Sequence, residues 1–336
     1  MRFYILFILS YLLISCGGSK SSANYSYKKK NTDTFKVAFW NVENLFDTID
    51  GPNMDEDFLP NGNYKWTSQI YLAKIDNLAR VISDINADII GLCEVENYSV
   101  LVDLNKKLGD KFSYEILHYD SPDERGIDVA LFYNSNKFDH VSSKPHHVNL
   151  GSKDKTRDIL EVRLYSYDAK DTFSFYVNHW PSRRGGAIES NPSRFSAASV
   201  LKKAIEQNST NFIAMGDLND GSLDSSLTQI LKTDTPGVTN GQLYDLSRLI
   251  NTANQGSHRY RDEWNMLDHL IIPSSIWQKN QGWTYVDNSF KIFSPNYLIQ
   301  QSGKYQGYPF RGLAGSNWLG GYSDHLPIVC KIAFIK

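Results

Sequence analysis

Hydrophobic and polar positions along the chain follow two rhythms. Ile70, Leu72, Ile75, Leu78, Val81, Ile82 and Ile85 recur at helical spacing, which predicts an amphipathic helix. Thr67 or Ser68 can cap its start. Residues 100–108 read as a second helix, and 193–207 as a third, with Pro192 near its start, where a missing N–H does no harm. Short β-rich runs predict strands over 35–40, 88–93, 112–117, 127–133, 159–165, 173–177, 212–215, 266–272 and 328–334. The run 88–93 is close to continuously apolar, which suits a strand buried on both faces. Residues 47–63 break the rhythm with acids and with the turn formers Gly51-Pro52 and Asn61-Gly62. Helices alternate with strands early, and strands follow one another in mid-chain. No repeat and no mid-chain linker interrupts this order, so it predicts an α/β protein with one large domain.

The first residues follow neither rhythm. Arg2 precedes an apolar run over 3–14, too short for a permanent bilayer helix of about 20 residues and suited to a secretory leader. The run ends in Leu13-Ile14-Ser15-Cys16, then Gly17-Gly18, which resembles a bacterial lipobox. That resemblance implies a lipoprotein signal peptide over 1–15, removed before Cys16, and a lipid attached to Cys16. Residues 16–34 are then the lipidated cysteine and a tether rich in Ser, Lys and Asn, and the folded domain covers 35–336. Acyl chains on Cys16 would hold the domain at a membrane surface. Gly17, in place of an aspartate, predicts the outer membrane of the cell envelope.

Composition narrows the class. The chain has 336 residues, with 35 Lys+Arg against 37 Asp+Glu, a net charge of −2 and 41% hydrophobic residues. That excludes a disordered, collagen-like or long coiled-coil chain. It also excludes a protein that coats nucleic acid by charge alone, though not an enzyme that grips one phosphate. Three cysteines are too few for a disulfide scaffold. Cys93 and Cys330 sit in apolar strands and are expected as buried thiols, with a disulfide between them left open. Aromatics crowd residues 283–322, among them Tyr297, Tyr305, Tyr308, Phe310, Trp318 and Tyr322. They can stack on bases or, more plainly, pack a long loop against the domain.

Candidate chemistry lies at the strand ends. Asn41 closes the first strand, Glu94 the run 89–93 and His179 the run 175–178, while Asp217 and Asn219 follow 212–216. Asp324 and His325 precede the last strand, and Asp268 and His269 lie inside a strand-like run. Strand ends in α/β folds converge on one rim, where ligands bind. Oxygen donors of this kind suit a hard cation such as Mg2+ or Mn2+, and no Cys or His pair has zinc spacing. A single carboxylate after a strand is commonly a turn or helix cap. Several on successive strand ends, with histidines, point to a site.

The segments Phe39-Trp40-Asn41-Val42-Glu43-Asn44, Gly91-Leu92-Cys93-Glu94-Val95-Glu96-Asn97, Asn178-His179-Trp180, Gly216-Asp217-Leu218-Asn219 and Ser323-Asp324-His325-Leu326-Pro327 occur in this order. Together they resemble the endonuclease/exonuclease/phosphatase superfamily. It includes pancreatic-type deoxyribonucleases, abasic-site endonucleases, neutral sphingomyelinases and inositol polyphosphate 5-phosphatases. The chain is similar to its secreted or lipid-anchored bacterial members, regarded as extracellular nucleases. The resemblance implies a four-layered α/β/β/α sandwich of two packed mixed sheets in a single domain, with the site at one end. It implies a metal-dependent phosphoesterase that hydrolyses phosphodiester bonds, an extracytoplasmic endonuclease. Action on inositol phosphates or phospholipid head groups is the alternative, and a non-catalytic binding module is a remote one.

By the same resemblance, Glu94 is the principal metal ligand, with Asn41 and Asp324 close by. Asp217 positions or deprotonates the attacking water, and Asn219 donates to the phosphate. His325 stands at the scissile phosphate with Asp268 as its orienting carboxylate. His179 is a second phosphate-side histidine, with Asp128 or Glu124 as candidate partners. Arg183 and Arg184, followed by Gly185-Gly186, are candidate phosphate contacts, since arginine binds phosphate in a bidentate way. Arg125-Gly126 is a similar pair. The implied cofactor is Mg2+, or Mn2+ or Ca2+ in its place. The expected partner is a phosphodiester substrate, nucleic acid, bound by a monomer. The acidic insert Asp55-Glu56-Asp57 would repel a phosphate backbone if it flanked the site.

Overall fold

A computed structural model describes residues 32–151, 155–208, 211–250 and 254–336. The expected signal peptide, Cys16 and the tether as far as residue 31 lie outside the described residues. In chain order the main elements begin with β1 (Thr32–Leu45), α1 (Ser68–Ile85), β2 (Ile89–Val95), α2 (Tyr98–Leu108), β3 (Tyr114–His118) and β4 (Asp128–Asn134). Then come β5 (Phe138–His146), β6 (Ile159–Ser166), β7 (Asp171–His179), α3 (Asn191–Asn208) and β8 (Phe212–Asp217). The short strands β9 (Thr233–Asp234), β10 (Leu243–Asp245), β11 (His258–Tyr260) and β12 (Glu263–Asn265) lead to β13 (Asp268–Pro273). The chain closes with β14 (Gly282–Tyr285), β15 (Lys291–Ile292), β16 (Leu313–Ala314), β17 (Asn317–Trp318) and β18 (Ile328–Ile335).

Two seven-stranded sheets carry the fold. One runs β14-β18-β1-β2-β4-β3, with β15 also on β18, and the other runs β5-β6-β7-β8-β13-β10-β9. Both are mixed: β1 and β2 are parallel, as are β7 and β8, among mostly antiparallel neighbours. The apolar strand runs are buried on both faces, as their composition predicts. Val37 and Phe39 of β1 join Ile213 and Met215 of β8 between the sheets. Ala38 and Trp40 pack outward against Ile75, Leu78 and Ile82 of α1. Phe212 and Ala214 pack outward against Ala197, Leu201 and Ala204 of α3. The layers are therefore helix, sheet, sheet, helix, in one domain.

Thr67 caps α1, its side chain accepting from the Ile70 N–H, and Asn86 ends the helix in the left-handed region. The first strand starts earlier than expected. Residues 32–34, read from sequence as tether, belong to β1, where Thr32 pairs with Ile335 and Thr34 with Ala333. Cys93 and Cys330 are free, buried thiols. Among the described residues no helix is long and apolar enough to cross a membrane.

Candidate active site

The site grows out of the inter-sheet core. Inward-facing residues alternate along each strand, and at one end of the sandwich the alternation turns from apolar to polar. Val37 and Phe39 are followed on that face by Asn41, Val177 by His179, and Met215 by Asp217. Asp268 begins the inward row of Leu270 and Ile272. The registers set His179 beside Asp217 and Asp217 beside Asp268, so β7, β8 and β13 present three polar side chains in a line. Gly216 lets β7 and β8 come together, because a Cβ there would collide with the Asn178 carbonyl. Irregular backbone aims the other side chains. Glu94 sits at a break in the β2–β4 register with φ +62°, and Glu43, Asn44 and Asn219 have φ of +52°, +55° and +51°. Such left-handed residues other than glycine concentrate at functional sites.

The line meets two residues from the other sheet. Asn41 Nδ2 donates to Glu94 Oε1 at 3.0 Å and to Asp217 Oδ2 at 3.1 Å. Its Oδ1 accepts from the Glu43 N–H at 2.9 Å, and Glu94 Oε2 accepts from the Asn44 N–H at 3.0 Å. Asp217 Oδ1 accepts from the Asn219 N–H at 2.9 Å. His325 Nε2 lies 3.7 Å from Asp217 Oδ2, and His179 Nε2 lies 3.8 Å from the same oxygen and 3.9 Å from Glu94 Oε1. His325 Nδ1 donates to Asp268 Oδ2 at 2.7 Å. Two buried atoms at the centre have no hydrogen-bond partner, Asp268 Oδ1 and His179 Nδ1.

The two histidines are tuned in opposite directions. Burial works against a cation at His325, but Asp268 and Asp217 outweigh it and hold the imidazole well above its usual value. Burial holds His179 well below its usual value, with Arg157, Arg125 and the His325 cation adding to it. Burial pushes Asp217 up to about 6, with Asp268 adding and His325 opposing. The site therefore sets a cationic ring and a neutral ring on either side of one carboxylate.

Several expected residues are placed elsewhere. Arg183 does not reach the site: its Nε donates to the Asn219 carbonyl at 2.7 Å, and its Nη2 pairs with Asp220 at 3.1 Å and with Asp224. Arg184 is exposed. Asn219 Nδ2 donates to the Trp180 carbonyl at 3.0 Å. Asp128 is engaged by Ser121 and by His118 at 3.2 Å, and Glu124 is exposed, so neither candidate partner meets His179. Arg125 pairs with Asp123. Of the late aromatics, Phe310 and Tyr322 pack in the core beneath α1, and Trp318 lies edge-on to Trp66.

Other functional groups are ones the strand-end pattern misses. Arg157, buried, donates to the His179 and Trp180 carbonyls at 3.2 and 2.6 Å and to Asp123 at 3.0 Å, which fixes the end of β7 that bears His179. Arg311 bridges Glu43 at 3.2 Å and Asp324 at 3.0 Å. Lys74 of α1, fully buried, donates to the Tyr322 carbonyl at 2.7 Å. Burial and then Asp324 raise Glu43 to about 7, against Lys74 and Arg311. Burial raises Asp324, but His325, Arg311, His258 and Lys74 overcome it and leave its carboxyl below the usual range. The His258 ring packs 4.7 Å from that of His325, and burial with the His325 cation pushes it down to about 4. Only the resemblance of segment 39–44 points to Glu43. No local signal marks the rest, which come from remote segments.

The donor set fits a divalent cation. Glu94, Asp217 and Asp324 are oxygen donors at one rim, and Asp268 Oδ1 adds a buried acceptor without a partner. Asp217, Asp268 and His325 offer ligand atoms within 4.8 Å of one another. Of that trio, Asp268 and His325 are already joined by their hydrogen bond, so Glu94 and Asp324 are the better ligands.

Comparison with known proteins identifies the family and the fold. Residues 36–334 match the model of the endonuclease/exonuclease/phosphatase family. No curated protein matches. Among solved structures, a Bacteroides thetaiotaomicron protein of that family aligns with a TM-score of 0.60 at 15% identity, covering 91% of this chain and 99% of its own. A mannosyl-6-phosphatase of the same organism gives 0.57 at 16% identity, covering 89% and 100%. D. rerio TDP2 complexed with a single-strand DNA product gives 0.55 at 13% identity, covering 89% and 98%. At these identities the likeness is one of fold.

Proposed function

The chain belongs to the endonuclease/exonuclease/phosphatase family, whose members hydrolyse phosphate esters, and from that premise we propose that it is a divalent-cation-dependent phosphodiesterase, an endonuclease acting outside the cytoplasm. One observation carries the reading. Asp217 Oδ2 lies within 4 Å of two imidazoles, 3.7 Å from His325 and 3.8 Å from His179, and these are held in opposite charge states. A diester displacement needs such a set: a base for the attacking water, a cation for the phosphoryl oxygens and a group at the leaving oxygen.

In the proposed reaction Asp217 orients the water in line with the leaving oxygen and takes its proton. His325, kept protonated by Asp268, donates to a non-bridging oxygen. His179 stands on the leaving-group side. Glu94 and Asp324 would hold the cation, Mg2+ or Mn2+ or Ca2+ in its place, with Asn41 orienting Glu94. When bound, the ion supplies charge neutralisation at the phosphoryl and leaving oxygens. Export and tethering to the cell envelope through Cys16 belong to the same proposal and rest on the leader sequence.

A second reading, hydrolysis of a phosphomonoester or a lipid head-group ester, is favoured by one feature. A cavity past the end of β2 is lined by Asp47, Glu96, Asp120 and Asp128, with no lysine or arginine, an unfavourable wall for a nucleic-acid backbone. A panel of plasmid DNA, RNA, sphingomyelin, inositol polyphosphates and a hexose 6-phosphate separates the two, run with Mg2+, Mn2+ and Ca2+ against a His325→Ala control. Nicking of DNA or RNA that the control lacks supports the nuclease. Turnover confined to the monoesters replaces it with the phosphatase.

A further inference from the structure

The short hairpin β11–β12 is fastened to both halves of the His325–Asp268 pair. Gly256 leads into it, and a Cβ there would lie 2.5 Å from the Asn265 carbonyl oxygen, so the two arms close tightly. Ser257, fully buried, follows. Its Oγ accepts from the Leu267 and Asp268 N–H groups at 3.3 Å each, and its carbonyl accepts from the Leu326 N–H at 2.7 Å. One residue thus ties the start of β13, which bears Asp268, to the residue after His325. His258 comes next and forms an antiparallel bridge with His325 itself. The two rings lie 4.7 Å apart, centroid to centroid, at 35°. The far end of the hairpin is pinned as well. The Arg259 guanidinium lies 4.5 Å from the Tyr308 ring and donates to the Gly307 carbonyl at 3.1 Å, and the Asp262 N–H donates to Tyr308 Oη at 2.7 Å.

We propose that His258 is a positioning residue for His325: its ring face sets the tilt of the His325 imidazole and so aims Nε2 beside Asp217. The backbone of His325 is already fixed, since its N–H donates to Ser323 Oγ at 3.0 Å and its carbonyl accepts from Trp40 Nε1 at 2.9 Å. The single bond from Nδ1 to Asp268 sets one direction of the ring but leaves it free to pivot about that bond. A flat surface against the ring removes the pivot, and aromatic pairs attract at centroid separations of about 4.5–7 Å. The face is what His258 contributes, because its Nδ1 is buried without a hydrogen-bond partner, an arrangement that costs free energy unless the ring is needed there for its shape. The inference rests on His325 being the reacting imidazole, and it holds for a monoester or a diester alike.

Kinetics with p-nitrophenyl phosphate and bis(p-nitrophenyl) phosphate in Mg2+ test it, together with proton NMR of the free protein. His258→Ala should lower kcat by about 10–100-fold with KM little changed, the cost of a misaimed group. His258→Phe, which keeps the ring face and drops both nitrogens, should recover most of that loss. The Nδ1–H signal of His325, identified by its absence in His325→Ala, should be sharp in the wild type and in His258→Phe, and broadened by exchange with water in His258→Ala. Both His258 variants should melt near the wild type. His258→Leu, which fills the space without a flat face, repeats the test if the alanine variant melts early. Wild-type kcat in His258→Ala, with His325→Ala inactive, would overturn the inference and leave the reading of His325 standing. A kcat loss that His258→Phe does not recover would assign the effect to the nitrogens and overturn it too. A wild type that cleaves neither ester, or a His325→Ala variant that still cleaves, would overturn the reading of the site and this inference with it.

Discussion

Two histidine–aspartate pairs meet back to back on one strand, and only one of them is closed by hydrogen bonds. On β13, Asp268 faces between the sheets and binds His325, while the next residue, His269, faces the other way and binds Asp245. Both pairs are buried, and in both Asp–His attraction outweighs burial and holds the imidazole above its usual value. They differ in what is left over. His269 Nδ1 meets Asp245 at 2.9 Å and Ser247 Oγ at 3.0 Å, and its Nε2 donates to the Asp220 carbonyl at 2.9 Å. Asp245 Oδ1 accepts from Ser247 N and Oγ. That pair is closed. His325 Nε2 has only a carboxylate 3.7 Å away, and Asp268 Oδ1 has no partner. Buried polar capacity left open is costly, and it persists where a substrate or ion completes it. The same two residue types thus form a closed strut on one face and, in the proposed reaction, the reacting pair on the other.

The comparison breaks first on activity. His325→Ala and Asp217→Ala should each lower turnover by roughly 10²–10⁴-fold, with unfolding temperatures near that of the wild type. Cation-dependent cleavage retained in both would remove the catalytic assignment. The mirror experiment is His269→Ala. Opening the closed pair leaves Asp245 charged and buried without its cation, and should cost about 3–5 kcal/mol of folding stability. The folded fraction should keep kcat within a few-fold. A large kcat loss at unchanged stability would erase the distinction between the two pairs.

A milder test keeps the shape and removes the charge. Asp268→Asn should reduce kcat by about 10–100-fold with little change in KM, because His325 loses the negative charge that keeps it protonated. Its pH profile should lose the alkaline part of its activity, since the imidazole then sheds its proton at lower pH. An unchanged profile would reduce Asp268 to packing.

Much of this arrangement was legible in the chain. α1 shows its spacing and its cap, and the buried strands show their apolar runs. Asn41, Glu94, His179, Asp217 and Asp324-His325 stand out because each follows or precedes such a run. What was hidden has physical reasons. β5 shows no apolar alternation because it is an edge strand with most of its side chains in solvent. Residues 32–34 are polar and become strand only by pairing with β18. Lys74 lies on an otherwise ordinary amphipathic helix, and Arg311 lies in an irregular loop, so their ties to Tyr322 and Glu43 cross more than 240 positions of sequence. Arg183, beside the Gly-Gly pair, has the composition of a phosphate loop, but Asp220 and Asp224 claim its guanidinium. Local pattern identifies which residues can react. It does not reveal which charges are already neutralised by distant partners.

The smallest effect concerns pH and isolates the closed pair. The folded state holds His269 above its ordinary value of about 6.5, so the stabilisation from its protonation is complete below that pH and is lost as pH rises through the folded value. Asp245 is displaced the other way. Burial raises it, but His269 and Ser247 overcome burial and bring it below its ordinary value of about 3.8, so its contribution is complete above that pH and is lost as pH falls through the folded value. Both contributions are in place only between about pH 4 and 6.5. The difference in unfolding free energy between the wild type and His269→Asn should therefore be largest near pH 5 and shrink toward pH 9, by at most about 1.4 kcal/mol per pH unit. Chemical denaturation at three pH values measures it. A difference that stays flat from pH 5 to pH 9 would mean that His269 is neutral in the folded protein and that the pair holds by hydrogen bonding alone, leaving His325 as the only cationic ring of the two.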